Sequence, residues 1–270
     1  VNPVDITTSS ASLDLVAGQA APVTVTVTSN LTATTTTTVR ADVPSGWTAG
    51  EPQSVTLGAG ESKTVTLSVT PAVDAFGKAT VTVSAKGEFA TVSHTLPAVV
   101  SKPVAVVGKA DASTREFALS PDRYSAYPTT FPNDINFTAG VSDPATTWSY
   151  IQPGPADTWA GGKPHTFRLT FNLPEAPSAD LTFTAWLYDS HDAAPPMLQV
   201  GLNATTVGTV QTPAGAGRGH RWADGIKPST VNVALPAANL KAGDNTITIT
   251  TSSGSWMVYD GLGVRQLPVS

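Results

Sequence analysis

The sequence predicts an all-β protein made of two sandwich domains, and three observations carry that expectation. The chain has 270 residues, more than one domain usually holds, so two cores are expected. Charged residues make up only 13% of it against 40% hydrophobic, and Thr, Val, Ala, Gly and Pro abound, a mixture that suits strands separated by turns. Apolar and polar residues alternate with period two in many short runs, and no helical period interrupts them.

In the first half, "APVTVTVTSN" sets Val23, Val25 and Val27 on one face and Thr24, Thr26 and Thr28 on the other, the pattern of a half-buried strand. "TTTTTVRADV" continues it. The Thr run at 34–38 has a competing reading as a mucin-like glycosylated linker, but Val39 and Val43 resume the strand pattern at once. "PSGW" turns the chain at 44–47, "QSVTLGAGESKTVTLSVTP" holds two strands around the Gly58 and Gly60 turn, and "GKATVTVSAKG" adds another. Residues 1–98 therefore read as an immunoglobulin-like sandwich. The junction falls at 99–110. Val99, Val100, Val104, Val106 and Val107 make it too apolar for a solvated tether, so a joining strand is expected there.

Residues 111–270 hold five of the six tryptophans: Trp148, Trp159, Trp186, Trp222 and Trp256. Their strands read "HTFRLTFNL", "ADLTFTAWLY", "PMLQVGLN", "STVNVALP", "NTITITT" and "SWMVYDGLGV", and a Lys-Ala-Gly-Asp-Asn turn at 241–245 precedes one of them. About eight strands in so short a stretch predict a jelly-roll sandwich. In the last strand Met257 and Tyr259 share one face while Trp256, Val258 and Asp260 share the other, so the stretch reads as a closing strand and not as a ligand platform. Tyr259 is expected to bury its ring with its hydroxyl satisfied, and Asp260 to accept hydrogen bonds from a nearby loop or from Arg265. Trp256, at the start of the strand, can still reach a loop-edge site.

Several function classes are disfavoured. The net charge of -5, from 15 basic and 20 acidic residues without a basic stripe, argues against nucleic acid. No run of 18 apolar residues suggests a membrane span, and the opening "VNPVD" reads as that of a trimmed or mature piece. Cysteine is absent, which removes disulfides, cysteine nucleophiles and thiolate zinc sites. Asn30, Asn136 and Asn203 open glycosylation sequons that matter only in a host that uses them. No G-x-S-x-G occurs, and "GAGRGHRW" lacks the residues of a phosphate loop. Glycoside hydrolysis needs a pair of carboxylates, yet Glu175 sits in a turn; Asp189 and Asp192 flank His191 in "LYDSHDAAPP", which reads as a solvated loop before it reads as a metal or acid–base site. The chain by itself is not expected to be an enzyme.

Two resemblances sharpen this picture. "LDLVAGQAAPVTVTVTSN" followed by "VPSGWTAGEPQSVTLGAGESKTVTLSVTPAVDAFGKATVTV" resembles the Ig-like, fibronectin-like domain found beside catalytic and sugar-binding domains in bacterial alpha-galactosidases. The Pro-x-Gly-Trp element, the Gly-Glu-Ser turn at 60–62 and Gly77 carry the match over roughly residues 5–90, and it implies a spacer. "FPNDINFTAGVSDPATTWSYIQP", "KPHTFRLTFNLP", "MLQVGLNATTVG", "HRWADGIKPSTVNVALPAANLKAGDNTITIT" and "WMVYDGLGVRQL" together resemble the C-terminal, carbohydrate-binding-module-like domain of the rhamnogalacturonan lyases of polysaccharide lyase family four. The run "LKAGDNTI" with Tyr-Asp in the last strand is shared more widely with galactose-binding-like jelly rolls. In those lyases the catalytic residues lie in a separate N-terminal domain to which nothing here corresponds.

The resemblance thus implies the non-catalytic, carbohydrate-binding and spacer portion of a secreted or cell-surface bacterial polysaccharide-degrading enzyme. Its expected partners are a pectin-type or related polysaccharide and a missing catalytic domain of the same polypeptide. The alternative is a purely structural accessory that packs against that domain or completes its cleft. No cofactor is required; a structural calcium ion is permitted, with Asp143 and Asp260 as candidate ligands.

Sugar rings stack their C–H faces on aromatic side chains while polar groups bind their hydroxyls. The two densest clusters of that kind are "SDPATTWSYIQPGPADTWAGGKPH" and "GRGHRWADG". From them Trp159, Tyr150, His220, Arg221, Trp222 and Asp224 are the candidate ligand residues. Trp148 and Trp186 read as core.

Overall fold

The computed structural model describes residues 2–88, 90–221 and 224–269. The chain divides into two compact units, 1–102 with 267–270, and 103–266. Among the described residues no helix is long and apolar enough to cross a membrane.

The first unit contains β1 (Val4–Thr8), β2 (Leu13–Val16), β3 (Ala21–Ser29), β4 (Thr35–Asp42), β5 (Thr48–Ala49), β6 (Gln53–Leu57), β7 (Ser62–Thr70), β8 (Gly77–Lys86) and the beginning of β9 (Thr91–Gly108). One sheet runs β1-β3-β7-β5; in the other β9, β8, β4 and β6 follow one another, with β2 parallel to β9. The alternation read from the sequence is realised: Val23, Val25 and Val27 meet Val39, Leu57, Leu67, Val81 and Val83 in one core drawn from both sheets. The Thr run forms β4, not a linker. Thr37 points inward and is buried, while Thr36 faces out and bonds Thr56 across the strands at 3.0 Å. Thr26–Thr64 and Thr28–Ser62 repeat that hydroxyl pairing on β3 and β7, which is the reason β-branched Thr fills a solvated sheet face.

The second unit begins with the end of β9 and continues through β10 (Ile135–Thr138), β11 (Ile151–Gln152), β12 (Thr166–Leu173), β13 (Leu181–Ser190), β14 (Met197–Leu202), β15 (Thr205–Gln211), β16 (Ser229–Leu235), β17 (Gly243–Ser253) and β18 (Met257–Gln266). One sheet orders β10-β12-β17-β14-β15; the other orders β16-β13-β18 and the end of β9, with β11 paired to β18. β10 runs parallel to β12, while β12–β17, β13–β16, β13–β18, β14–β15, β14–β17 and β11–β18 pair antiparallel. Phe167, Leu169, Phe171, Ile247, Ile249, Phe183 and Leu262 fill the space between the sheets. The result is a second all-β sandwich.

Trp148 is fully buried and meets Phe137, Phe167 and Tyr259 edge-on at ring distances of 5.7, 5.3 and 5.5 Å. Tyr259 is buried beside it and donates its hydroxyl to Gln152 Oε1 at 2.6 Å. Asp260, on the opposite face, accepts the amides of Asp111, Ala112 and Ser113 at 3.0–3.2 Å, so its partner is the loop after β9. Trp186 is buried, but not in the main core. Phe183, Ala185 and Leu187 point inward, so Trp186 takes the other face, where the Arg265 guanidinium lies 5.2 Å from its ring.

Candidate functional site

Loops of the second unit converge on a cleft of about 510 Å3, within the roughly 300–1,000 Å3 usual for small-ligand sites. Tyr124 and Trp159 form one side, His220 and Gly217 the middle, and Trp256 with His191 the other side, over a floor that includes Ile151, Asp157 and Ser255. The rings form a continuous chain. Trp159 stands edge-on to Tyr124 at 5.1 Å, Tyr124 edge-on to His220 at 5.3 Å, His220 tilts on Trp256 at 4.9 Å, and Trp256 meets His191 at 5.8 Å. The Tyr124–Trp159 pair adds about 0.5–1.5 kcal/mol beyond area burial.

Asp157 builds the Trp159 side. Its carboxylate accepts the Gly154 amide at 2.8 Å, the Trp159 Nε1–H at 3.2 Å and the Ser255 hydroxyl at 2.5 Å, tying the Trp159 turn to the segment before β18. Behind that turn, buried His165 contacts the Ala160 carbonyl through Nε2 at 3.0 Å and Asp134 Oδ1 through Nδ1 at 2.7 Å. Asp134 also accepts the Tyr127 hydroxyl at 2.9 Å and the Thr166 amide at 2.9 Å. Burial alone would raise Asp134, but those hydrogen bonds outweigh it and hold the carboxyl below its ordinary value.

Asp189 builds the His220 side. Register shifts between β13 and β18 on either side of Leu187 bend the end of β13, and Asp189 ends up fully buried. It accepts the amides of Ala216, Arg218 and Gly219 at 2.7–2.8 Å, so the loop between β15 and β16 wraps its backbone around one carboxylate. Glycine is required for that approach: a Cβ at Gly215 would lie 2.2 Å from the Ser190 carbonyl, and one at Gly219 would lie 2.5 Å from Asp189 Cβ. Beneath the loop, buried Tyr150 donates its hydroxyl to the His220 carbonyl at 2.5 Å. His220 Nδ1 is buried with no hydrogen-bond partner among the described residues. Burial, then the neighbouring Arg221 charge, push this imidazole below its ordinary value.

With the geometry in place, comparison with known proteins decides the lineage. The family described as CBM-like, polysaccharide lyase family 4, domain III, matches residues 106–263, more than half of the chain. The chain belongs to this family. Residues 15–87 match the NPCBM-associated, NEW3 domain of alpha-galactosidase, so both resemblances read from the sequence hold, in the same order. Both are accessory-domain families of polysaccharide-active enzymes. No curated protein matches the chain. Among solved structures, a FixG-related protein from Vibrio parahaemolyticus is 14% identical over 37% of this chain and 98% of its own, with a TM-score of 0.32. The secreted serine protease VesC from Vibrio cholerae is also 14% identical, over 98% of this chain and 50% of its own, with a TM-score of 0.28. A beta-glucosidase from Listeria innocua is 20% identical over 36% of this chain and 16% of its own, with a TM-score of 0.25. Likeness at these scores carries no functional argument.

Within this domain-III unit, two of the candidate residues, Trp159 and His220, line the cleft. Arg221 lies at the rim, its Nη2 3.4 Å from the Tyr124 hydroxyl. Asp224 is exposed and turns its carbonyl toward Arg218, 3.5 Å from Nη1. Tyr150 does not reach the cleft surface: it is fully buried and acts on His220 from below. Trp222 lies outside the described residues. Tyr124 is a lining residue without a signal in the sequence, because "DRYSAYP" shows no pattern that local chemistry would single out, and His191, weighed there only as a metal or acid–base site, lines the cleft as well. The segment around His191 is a solvated loop only from His191 onward, where Asp192 and Ala193 are exposed and His191 Nδ1 accepts the Ala194 amide at 3.1 Å; Asp189 and Ser190 instead end β13 and are buried.

Both calcium candidates are engaged by backbone amides. Asp143 caps a one-turn helix by accepting the Ala145 amide at 2.9 Å. Asp260 is ringed by three amide hydrogens where oxygen ligands would be needed. Among the described residues no group of three or more His, Asp or Glu side chains gathers to hold a metal.

Proposed function

We propose that the second unit is a non-catalytic glycan-binding module. In this reading a pyranose ring lays its apolar face against the wall of Trp159, Tyr124, His220 and Trp256 while its hydroxyls meet the polar groups between them. The observation that carries it is that continuous aromatic wall, with about 510 Å3 of open cleft before it. Asp157 is the one carboxylate among the described lining residues, and its oxygens already accept three hydrogen bonds, which supports binding over acid–base catalysis by a carboxylate pair.

The first unit serves as a spacer, and the two units belong to a secreted bacterial enzyme whose catalytic domain acts on pectin-type or related glycans. Membership of a lyase accessory-domain family supports this wider role. Attachment would raise the local substrate concentration seen by that catalytic domain.

The test is a tryptophan fluorescence titration with pectic and hemicellulosic oligosaccharides, repeated on Trp159→Ala and Trp256→Ala, with circular dichroism to confirm folding. A saturable shift weakened at least about tenfold by either substitution supports the module. A flat response from the folded wild-type chain across the whole panel rejects it.

A further inference from the structure

The cleft's charges also restrict which glycan it accepts, a step that rests on the glycan-binding reading above. Asp157 is the one Asp, Glu, Lys or Arg among the described lining residues. Two further carboxylates stand close by. Asp189 lies under the loop that carries His220, and Asp192 Oδ1 lies 3.3 Å from His191 Nδ1. The nearest guanidinium groups are directed at the loops themselves, Arg218 toward the Asp224 carbonyl and Arg221 toward the Tyr124 hydroxyl. His220, held below its ordinary value, faces the cleft as a neutral ring at pH 7. A carboxylate brought into such a site loses its water and meets like charge, with no Lys or Arg among the described lining residues to receive it. A sugar hydroxyl meets no such penalty, because it can both donate and accept.

We infer that the cleft selects uncharged pyranose residues and excludes uronates. On an acidic polysaccharide the module therefore anchors to neutral sugars and leaves the uronate backbone free. Discrimination comes from an unfavourable term against the charged ligand as much as from contacts to the neutral one.

The test is isothermal calorimetry on the full chain, using neutral galactose and arabinose oligosaccharides beside oligogalacturonides of equal length, at low and high NaCl. The expected result is saturable binding of a neutral oligosaccharide, at least about tenfold tighter than any oligogalacturonide. That affinity should not change with salt, and it should weaken in a folded His220→Gln variant. Oligogalacturonide binding that is equal or tighter, falls with salt and disappears in Arg221→Ala would overturn the selectivity while leaving glycan binding intact. Silence from every oligosaccharide would reject both.

Discussion

At the scale of single residues, the loops around the cleft are held in place by carboxylates. Asp157 fixes Trp159, Asp189 fixes the His220 loop, and Asp134 fixes His165 behind Ala160. Asp189→Ala leaves several buried amides unpaired, so binding should drop by more than about tenfold and stability by some 2–5 kcal/mol, read by calorimetry and urea denaturation. Asp134 and Asp260 make opposite pH contributions. Asp134 titrates below its ordinary value in the folded state, so its contribution is present above about 3.8 and is lost as the pH falls through the folded value. Asp260 is pushed by burial up to about 7, although three amides pull the other way. Its folded form holds the proton more tightly than the unfolded chain, so its contribution is complete below 3.8 and is lost as the pH rises through about 7. Between pH 4 and 8 the melting temperature should fall more steeply in the wild type than in Asp260→Asn; equal slopes would refute this.

At the scale of elements, strand patterning and loop placement obey different rules. Val23, Val25 and Val27 were readable because period two is local and each strand declares its own inward face. The same rule places Trp186 on the outer face once Phe183 and Ala185 are assigned inward, and the register shifts around Leu187 then bury Asp189 at the strand's end. The loop between β15 and β16 has no period; its shape follows from amides converging on Asp189 and from glycines that permit the approach. Gly219→Ala should therefore displace His220 and weaken glycan binding about tenfold, with a far smaller loss of stability than a core truncation causes. Unchanged affinity in calorimetry would show that the loop can move without opening the wall.

At the scale of the whole molecule, two separate hydrophobic cores predict two unfolding transitions by scanning calorimetry. Trp148→Ala removes a fully buried ring from the second core, at a cost of about 3–5 kcal/mol. It should lower one transition by many degrees and leave the other in place; a shift of both together would mean the units unfold as one. The sequence by itself determined the all-β class, the succession of an Ig-like and a jelly-roll sandwich, and the core role of Trp148, because strand alternation, turn chemistry and family strings are contiguous along the chain. It also pointed to Trp159 and His220, since their segments concentrate aromatic and polar residues. What only the tertiary structure decided is the cleft. Tyr124, Trp159, His191, His220 and Trp256 come from five separate loops and become neighbours only when β11, β13 and β18 bring those loops together. Tyr150 looked like a ligand residue by composition and proved to be a buried support, because burial is a property of the packed sandwich and not of the local string. Charge follows the same logic. A chain of 15 basic and 20 acidic residues does not reveal which carboxylates will face one cleft, and the folded backbone makes that choice.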